Sequence, residues 1–385
     1  MLKKIVKIAL SCVLIGVASA GIYASVLYKD ASEVIDKIGT PELVAEAESA
    51  KVKPLTLLMM GIDHRQDTGS LNSDVIMVVT VNPNTQSATV VSIPRDTQLT
   101  PKGLPERKAN YYYPYFYNMN KDQAFGNTKK VFSELLDVPI DYAITVDFDG
   151  FRQAVDVLGG LTINVDMDMR YVDDEDGTNI NLKKGISKLN GKQVLDFVRY
   201  RKSNMDTQES SDFARNARQQ QVLNEMLKSV KTAGGITKLS QMIETVGNHM
   251  STDVPSSQIR EMIRTYFNMN PSNVNYVHLE GEWESPYVII KKEELMRASD
   301  ALKQQLGDTD TTDTDAWDKN NSITSNTYSS VKNSGNTSNV GNSSSKSSSS
   351  GKTTVSGATY GKLNNVTSKE ITPAPSLGGN PLPFE

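Results

Sequence analysis

The chain has 385 residues, with 41 lysines and arginines against 45 aspartates and glutamates, and a formal net charge of −4. This near balance excludes bulk electrostatic attraction to nucleic acid, so no nucleic-acid partner is expected. The single cysteine, Cys12, excludes a disulfide framework within the chain.

The N-terminus has the features of a membrane anchor. Lys3, Lys4 and Lys7 precede an uncharged apolar stretch over 8–28, whose 21 residues would span roughly 30 Å as a helix, enough for a bilayer core. The lysines favour a cytoplasmic N-terminus, which places the following residues outside the membrane. We therefore predict 1–28 as a cytoplasmic stub with an uncleaved signal-anchor helix. A signal-peptidase site at "ASA" (18–20) is the alternative.

A polar segment and then alternating predicted strands and helices follow the N-terminus. Residues 29–53 are polar and predict a short helical or flexible stalk. Three apolar runs then predict buried strands, "LTLLMMGID", "DVIMVVTVN" and "ATVVSI", with the turn signal "NPNTQ" between the last two. A helix "NTKKVFSELLD", a strand "YAITVD", a helix "GFRQAVDVLG" and a strand "LTINVDMDM" follow. This alternation predicts a layered α/β domain.

The C-terminal half ends in a change of composition. A long helix is predicted from near 211 to 230, and 235–306 predicts two or three amphipathic helices and a strand at "VNYVHLEG". After about Gly307 the chain is dominated by Ser, Thr, Asn, Asp and Gly, which bury too little apolar surface to offset the entropy of ordering. We predict one domain over 54–306 and a disordered tail over 307–385, either inert or wall-penetrating.

Charged residues end the first three predicted strands. If 83–86 form a tight loop, Asp74 lies opposite Arg95, with Asp96 beside it. Asp63 reaches the same edge if the first strand pairs antiparallel with the second. Close carboxylates repel unless a cation lies between them, and such hard oxygen ligands suit Mg²⁺ or Mn²⁺. Salt bridges at a loop edge are the alternative explanation.

Two further clusters are rich in arginine. In "DFVRYRKS", Arg199 and Arg201 would project from one face of an extended segment. In "SSDFARNARQQQ", Asp212, Arg215 and Gln219 would share one face of a helix. Guanidinium groups bind phosphate bidentately, and Asp212 could orient one of them. A solvated, charged helix face is the alternative.

The tyrosine-rich segment "NYYYPYFYNMN" over 110–120 permits two interpretations. Its aromatic rings could cover an apolar cavity, which we favour, or they could stabilise a surface hairpin.

These segments together resemble the LytR-CpsA-Psr (LCP) family of cell-wall glycopolymer ligases, from about Leu55 to Met226. The resemblance is carried by "LLMMGIDHR", "SDVIMVVTVNP", "VVSIPRDT", "KAN", "IDYAITVDFDGF", "VDVLGGLTINV", "LNGKQVLDFVRYR" and "DFARNARQQQ". It implies a three-layer α/β/α sandwich with a mixed central sheet and an apolar channel for a lipid. It also implies transfer of a glycopolymer (teichoic acid, capsule or another wall polysaccharide) from a polyprenyl-pyrophosphate carrier to peptidoglycan.

The resemblance also implies roles for individual residues. Asp63 and Asp74 match its Mg²⁺-associated aspartates. The residues that match its pyrophosphate-binding positions are Arg95, Arg199, Arg201, Asp212, Arg215 and Gln219. Asp74, Arg95 and Asp96 are the expected catalytic residues, with Asp74 or Asp96 accepting the acceptor's proton. The chain departs from the family in having Asn72 where many members have arginine, and in its tyrosine-rich segment.

Other functions share much of this pattern. A polyprenyl-pyrophosphate hydrolase would use nearly the same residues. A cell-envelope regulator without ligase activity and a non-catalytic glycan-binding protein are two further alternatives. For the ligase we expect a single-pass protein of the cell membrane, with its catalytic domain extracellular in a Gram-positive-type envelope.

Overall fold

The computed structural model describes residues 29–308 apart from 30, 66–69, 175–176, 211, 232–234 and 268. The predicted anchor over 1–28 and nearly all of the predicted tail lie outside these residues. Within the described part of the chain, no helix combines the length and apolar character needed to cross a bilayer.

The domain is a mixed α/β structure, as predicted. The helices are α1 (31–38), α2 (Tyr112–Met119), α3 (Lys121–Leu136), α4 (Phe148–Val157), α5 (Gly191–Arg199), α6 (Asp212–Val230), α7 (Gly235–Val246), α8 (Ser256–Tyr266) and α9 (Lys292–Leu306). The strands are β1 (Leu55–Arg65), β2 (Ser70–Asn82), β3 (Ser87–Ile93), β4 (Gln98–Leu99), β5 (Arg107–Lys108), β6 (Tyr142–Asp147), β7 (Leu161–Val165), β8 (Met169–Asp173), β9 (Thr178–Leu182), β10 (Gly185–Leu189), β11 (Met250–Thr252), β12 (Val274–His278), β13 (Gly281–Glu284) and β14 (Tyr287–Ile290).

The central sheet is mixed and has the order β11-β6-β1-β2-β3-β12. β1 pairs antiparallel with β2 and parallel with β6, and β2 pairs antiparallel with β3. Asn82 pairs with Ser87, so the predicted loop and register are confirmed. The C-terminal end of β1, the N-terminal end of β2 and the C-terminal end of β3 therefore meet at one edge of the sheet.

The predicted strand "LTINVDMDM" is two strands. β7 pairs with β10, whereas β8 pairs with β9. The break falls at two aspartates: Asp166 binds Arg218, and Asp168 accepts a hydrogen bond from the Lys184 backbone N–H at 2.8 Å. The alternating pattern continues through this segment, but these two contacts redirect the chain.

One face of the central sheet is closed by a packed core beneath α2, α3 and α9. Leu58 and Val78 of the sheet are fully buried there. Phe132 and Leu302 of the covering helices are at most 1% exposed. The tyrosine-rich segment belongs to this core as a 3₁₀ turn and α2, with Tyr112 buried. The favoured prediction that it covers the cavity is wrong, because its rings pack against the opposite face of the sheet. It forms no hairpin either.

The segment predicted as a helical or flexible stalk packs onto the domain. Ala31 and Ile35 of α1 are buried, and Ala50 is fully buried. Arg260 on α8 donates to Asp36 at 2.5 Å and to the Ser32 hydroxyl at 3.2 Å. These contacts fix α1 against the layer that covers the other face of the sheet.

Candidate active site

A cavity of about 740 Å³ lies against the second face of the sheet. Its floor is formed by β1, β2 and β6, and its walls by α1, α4, α6, α7 and α8. The interior is apolar. The residues of its floor include Met59, Val75, Met77, Ile144 and Val146, and those of its walls include Ile35, Phe151, Met226, Met242, Ile259 and Met262. Methionine side chains are flexible and polarisable, so this lining suits a long, irregular apolar chain.

The mouth of the cavity is charged. Its cationic side chains are Arg95, Arg199, Arg201, Lys202 and Arg215, and its carboxylates are Asp74, Asp173 and Asp196. One continuous cavity therefore joins an apolar interior to a cluster of guanidinium groups.

A β-bulge places Asp74 in this mouth. Gly61 pairs with Val75 but Ile62 pairs with Ser73, so Asp74 is the extra residue on β2. Strict alternation would put Asp74 on the same face as Ile76, which lies in the packed core. Because the bulge shifts the alternation by one residue, Asp74 instead lines the cavity beside Val75.

Arg95 lies in the turn that follows β3. Thr97 N–H donates to the Pro94 carbonyl at 3.0 Å, which closes the turn. Arg95 Nη1 donates to Asp74 Oδ1 at 2.8 Å, with side-chain exposures of 33% and 19%. The predicted juxtaposition of these two residues is confirmed, and the pair is only partly exposed at the mouth.

Asp96 is not among the residues that line the cavity. Its Oδ1 accepts a hydrogen bond from Lys108 Nζ at 2.8 Å, and its Oδ2 lies 3.7 Å from Arg95 Nε. Asp96 is buried, with 8% exposure. This geometry suits a residue that holds Arg95 in place.

Arg199 and Arg201 both line the mouth, although not in the extended conformation that we predicted. Arg199 is the last residue of α5, and Arg201 lies beyond the end of that helix. The Arg199 guanidinium lies 4.9 Å from the centroid of the Phe148 ring. Ser210 N–H donates to the Arg201 carbonyl at 2.8 Å, closing the 201–210 loop.

The two arginines of α6 have different surroundings. Arg215 and Gln219 line the cavity, as their predicted common face requires. Asp212 is the first residue of α6, but its side chain lies outside the described residues. Arg218 is 3% exposed and donates through Nε and Nη2 to the two carboxylate oxygens of Asp166, at 2.8 Å each. Its Nη1 donates to the Tyr200 carbonyl at 3.2 Å, so Arg218 anchors the loop that carries Arg201.

Sequence reasoning missed Asp196, which lines the mouth and is 8% exposed. Burial raises the pKa of its carboxyl, while a hydrogen bond from Lys192 Nζ at 2.8 Å opposes that rise. Asp196 precedes Arg199 by three residues, so treating 191–199 as a helix would have placed the two on one face.

The metal prediction depends on Asp63 and Asp74. By the alternation along β1, Asp63 falls on the same face as Met59 and Gly61, which line the cavity. Two carboxylates on one face offer the hard oxygen ligands that Mg²⁺ prefers. Among the described residues, no three His, Cys, Asp or Glu side chains are grouped so as to hold a metal ion. Asp74 lines the cavity but Asp63 is not among its lining residues, so the metal site stays a prediction.

Comparison with known proteins gives a consistent result. The sequence model of the LytR_cpsA_psr family matches residues 22–339. The Bacillus mycoides protein named polyisoprenyl-teichoic acid–peptidoglycan teichoic acid transferase TagU is 30% identical over 278 residues, covering 70% of this chain and 85% of that protein. Biofilm regulatory protein A of Streptococcus mutans is 27% identical over 324 residues, covering 79% and 77%.

TagV of Bacillus subtilis, which carries the same transferase name, is similar in both sequence and structure. It is 28% identical over 272 residues, covering 70% of this chain and 68% of that protein. Its crystal structure superposes with a TM-score of 0.54 at 28% identity, covering 67% of this chain and 98% of the TagV chain. The match of the family model over most of the chain shows that this protein belongs to the LytR_cpsA_psr family.

Proposed function

We propose that this chain transfers a cell-wall glycopolymer from a polyprenyl-pyrophosphate carrier to peptidoglycan. The observation that carries the proposal is the division of one cavity into an apolar interior and a mouth lined by Arg95, Arg199, Arg201 and Arg215. A ligand with a lipid tail joined to a diphosphate matches both parts. The names of the TagU and TagV relatives support the same function and favour teichoic acid as the glycopolymer.

The proposed step is phosphoryl transfer. The oxygen of an acceptor hydroxyl attacks the phosphorus that carries the glycan, and the anhydride bond to the polyprenyl phosphate breaks. The bond's electron pair leaves with the polyprenyl phosphate, and the guanidinium groups of the mouth stabilise the charge that develops there. Asp74 accepts the hydroxyl proton. It lines the cavity, whereas Asp96 lies behind Arg95 and binds Lys108.

Asp63 and Asp74 would hold Mg²⁺, or Mn²⁺ in its place. The bound ion would neutralise part of the pyrophosphate charge.

We also propose that the protein is a single-pass protein of the cell membrane, with a cytoplasmic N-terminus and an extracellular domain. The sequence over 1–28 supports this placement. An anchored domain would meet lipid-linked donor at a high effective concentration.

The test uses the purified full chain with a lipid-linked teichoic acid donor, with and without peptidoglycan. A transferase attaches glycan to peptidoglycan and releases polyprenyl phosphate only when the acceptor is present. Equal release without acceptor would identify a hydrolase. Donor binding without either product would favour a regulator. Either of these two results would overturn the proposal.

A further inference from the structure

Two short hairpins lie immediately beyond the end of β3. β4 pairs with β5, and β13 pairs with β14. Val288 N–H on β14 donates to the Asp96 carbonyl at 2.9 Å, which ties the second hairpin to the turn containing Arg95. Leu99, Val288 and Ile290 belong to the core on the face of the sheet opposite the cavity. The hairpins are therefore fixed to the turn that carries Arg95.

The second hairpin exposes a large aromatic ring. Trp283 on β13 is 55% exposed. Lys108 Nζ lies 5.9 Å from the centroid of this ring and donates to Asp96 Oδ1 at 2.8 Å. Asp96 Oδ2 in turn lies 3.7 Å from Arg95 Nε. An unbroken series of contacts thus joins an exposed tryptophan to an arginine of the cavity mouth.

Residues next to Lys108 in the chain supply further aromatic and cationic groups. The Arg107 guanidinium, beside Lys108 on β5, lies 5.6 Å from the centroid of the Tyr111 ring. Tyr111 stacks on Tyr115 with their ring centroids 5.1 Å apart. A flat ring offers an apolar face to the C–H groups of a sugar, while adjacent cations donate to hydroxyl and acyl oxygens. This composition is suited to a carbohydrate chain.

We propose that Trp283 and Lys108 form a binding subsite for the sugar chain of the acceptor, an inference that rests on the proposed function. In phosphoryl transfer the attacking and leaving oxygens lie roughly in line. The polyprenyl phosphate leaves toward the cavity, so the attacking hydroxyl must approach from the opposite, outer side of the arginines. No residue of either hairpin lines the cavity, and both hairpins are bonded to the turn that carries Arg95. The subsite positions the acceptor's hydroxyl over the phosphorus.

The experiment measures binding and transfer separately in the full chain. The binding experiment uses a Trp317→Phe chain, in which Trp283 is the sole tryptophan. Trp317 lies outside the described residues. Titration with soluble uncross-linked peptidoglycan strands should change the fluorescence of Trp283.

The transfer experiment compares variants of Trp283. Trp283→Ala should raise the KM for these strands about tenfold and leave the KM for donor unchanged. Trp283→Phe, which keeps a ring, should restore most of the loss.

Ile186→Ala provides the matched control, because Ile186 is also apolar and exposed, at 78%, on β10. Unchanged fluorescence on titration, or a wild-type acceptor KM in both Trp283 variants, would overturn the subsite. If the wild-type chain binds the strands through Trp283 yet transfers nothing, the proposed function fails while the subsite stands.

Discussion

The two faces of the central sheet are built from the same strands, but one face packs into a core and the other lines the cavity. Leu58 is fully buried in the core beneath α2, α3 and α9, whereas its neighbour Met59 lines the cavity. The same alternation along β2 puts Val78 in the core and Met77 in the cavity. One alternating sequence can thus supply stability on one face and a binding surface on the other. Substitutions one residue apart should separate the two roles.

The largest effect should come from substituting Leu58 and Met59 separately. Leu58→Ala should lower the free energy of unfolding by about 2–5 kcal/mol, because it leaves a void in a close-packed core. Met59→Ala should cost much less stability, since its side chain already borders a cavity, but it should weaken binding of the lipid-linked donor. Urea denaturation of the full chain in detergent measures the first quantity, and donor titration the second. Equal losses of stability in both variants would contradict this division.

The second prediction concerns the mouth of the cavity, where a substitution should lower activity much more than stability. Arg95→Ala should reduce transfer about 100- to 1,000-fold, because a fixed charge over the diphosphate is lost. The unfolding free energy should change by no more than about 1 kcal/mol, since the partly exposed ion pair with Asp74 contributes little stability.

Arg95→Lys keeps the charge without the planar fork, so it should recover only part of the transfer rate. Arg264→Ala, which removes an exposed arginine of α8, is the control and should leave transfer unchanged. Wild-type turnover in Arg95→Ala would remove Arg95 from the mechanism.

Much of the fold and part of the site were predictable from local signals. The loop after Asn82 sets the β2–β3 register, and that register brings Arg95 to Asp74. The bulge at Asp74 was not predictable, because it depends on how β1 and β2 pair near Gly61. The sequence indicated that charges gather at one edge of the sheet, but not which of them face the cavity.

The errors share a physical cause, which is that tertiary contacts decide what a local pattern leaves open. The tyrosines of 110–120 suit a cavity wall or a core equally, and the packing of α2 decides for the core. Arg218 belongs to the same charged helix as Arg215, yet it binds Asp166 and does not line the cavity. Asp166 is 52 residues away in sequence, so no pattern within the helix could have revealed this contact.

A third prediction concerns this buried arginine. Arg218→Ala should lower the unfolding free energy by about 2–3 kcal/mol, because its hydrogen bonds to the Asp166 carboxylate, the Tyr200 carbonyl and the Ser210 hydroxyl are lost. A larger loss is not expected, since the Asp166 side chain is 40% exposed and water can solvate it. The 201–210 loop should also loosen, which hydrogen exchange would detect as faster exchange of the Ser210 amide. Unchanged protection of that amide would show that Arg218 does not anchor the loop.

The smallest effect should come from the carboxylate inside the mouth. Asp196→Asn removes a negative charge that opposes the pyrophosphate, so donor affinity at neutral pH should rise about two- to tenfold. Burial raises the pKa of Asp196, so as pH falls the wild-type carboxyl is neutralised earlier than that of an exposed aspartate. The advantage of the variant should therefore shrink toward acid pH, where both side chains are neutral. Lys192→Gln keeps the carboxylate and should not show this gain. Donor titrations across the pH range measure the difference, and an advantage that stays constant with pH would show that charge at this position does not govern donor binding.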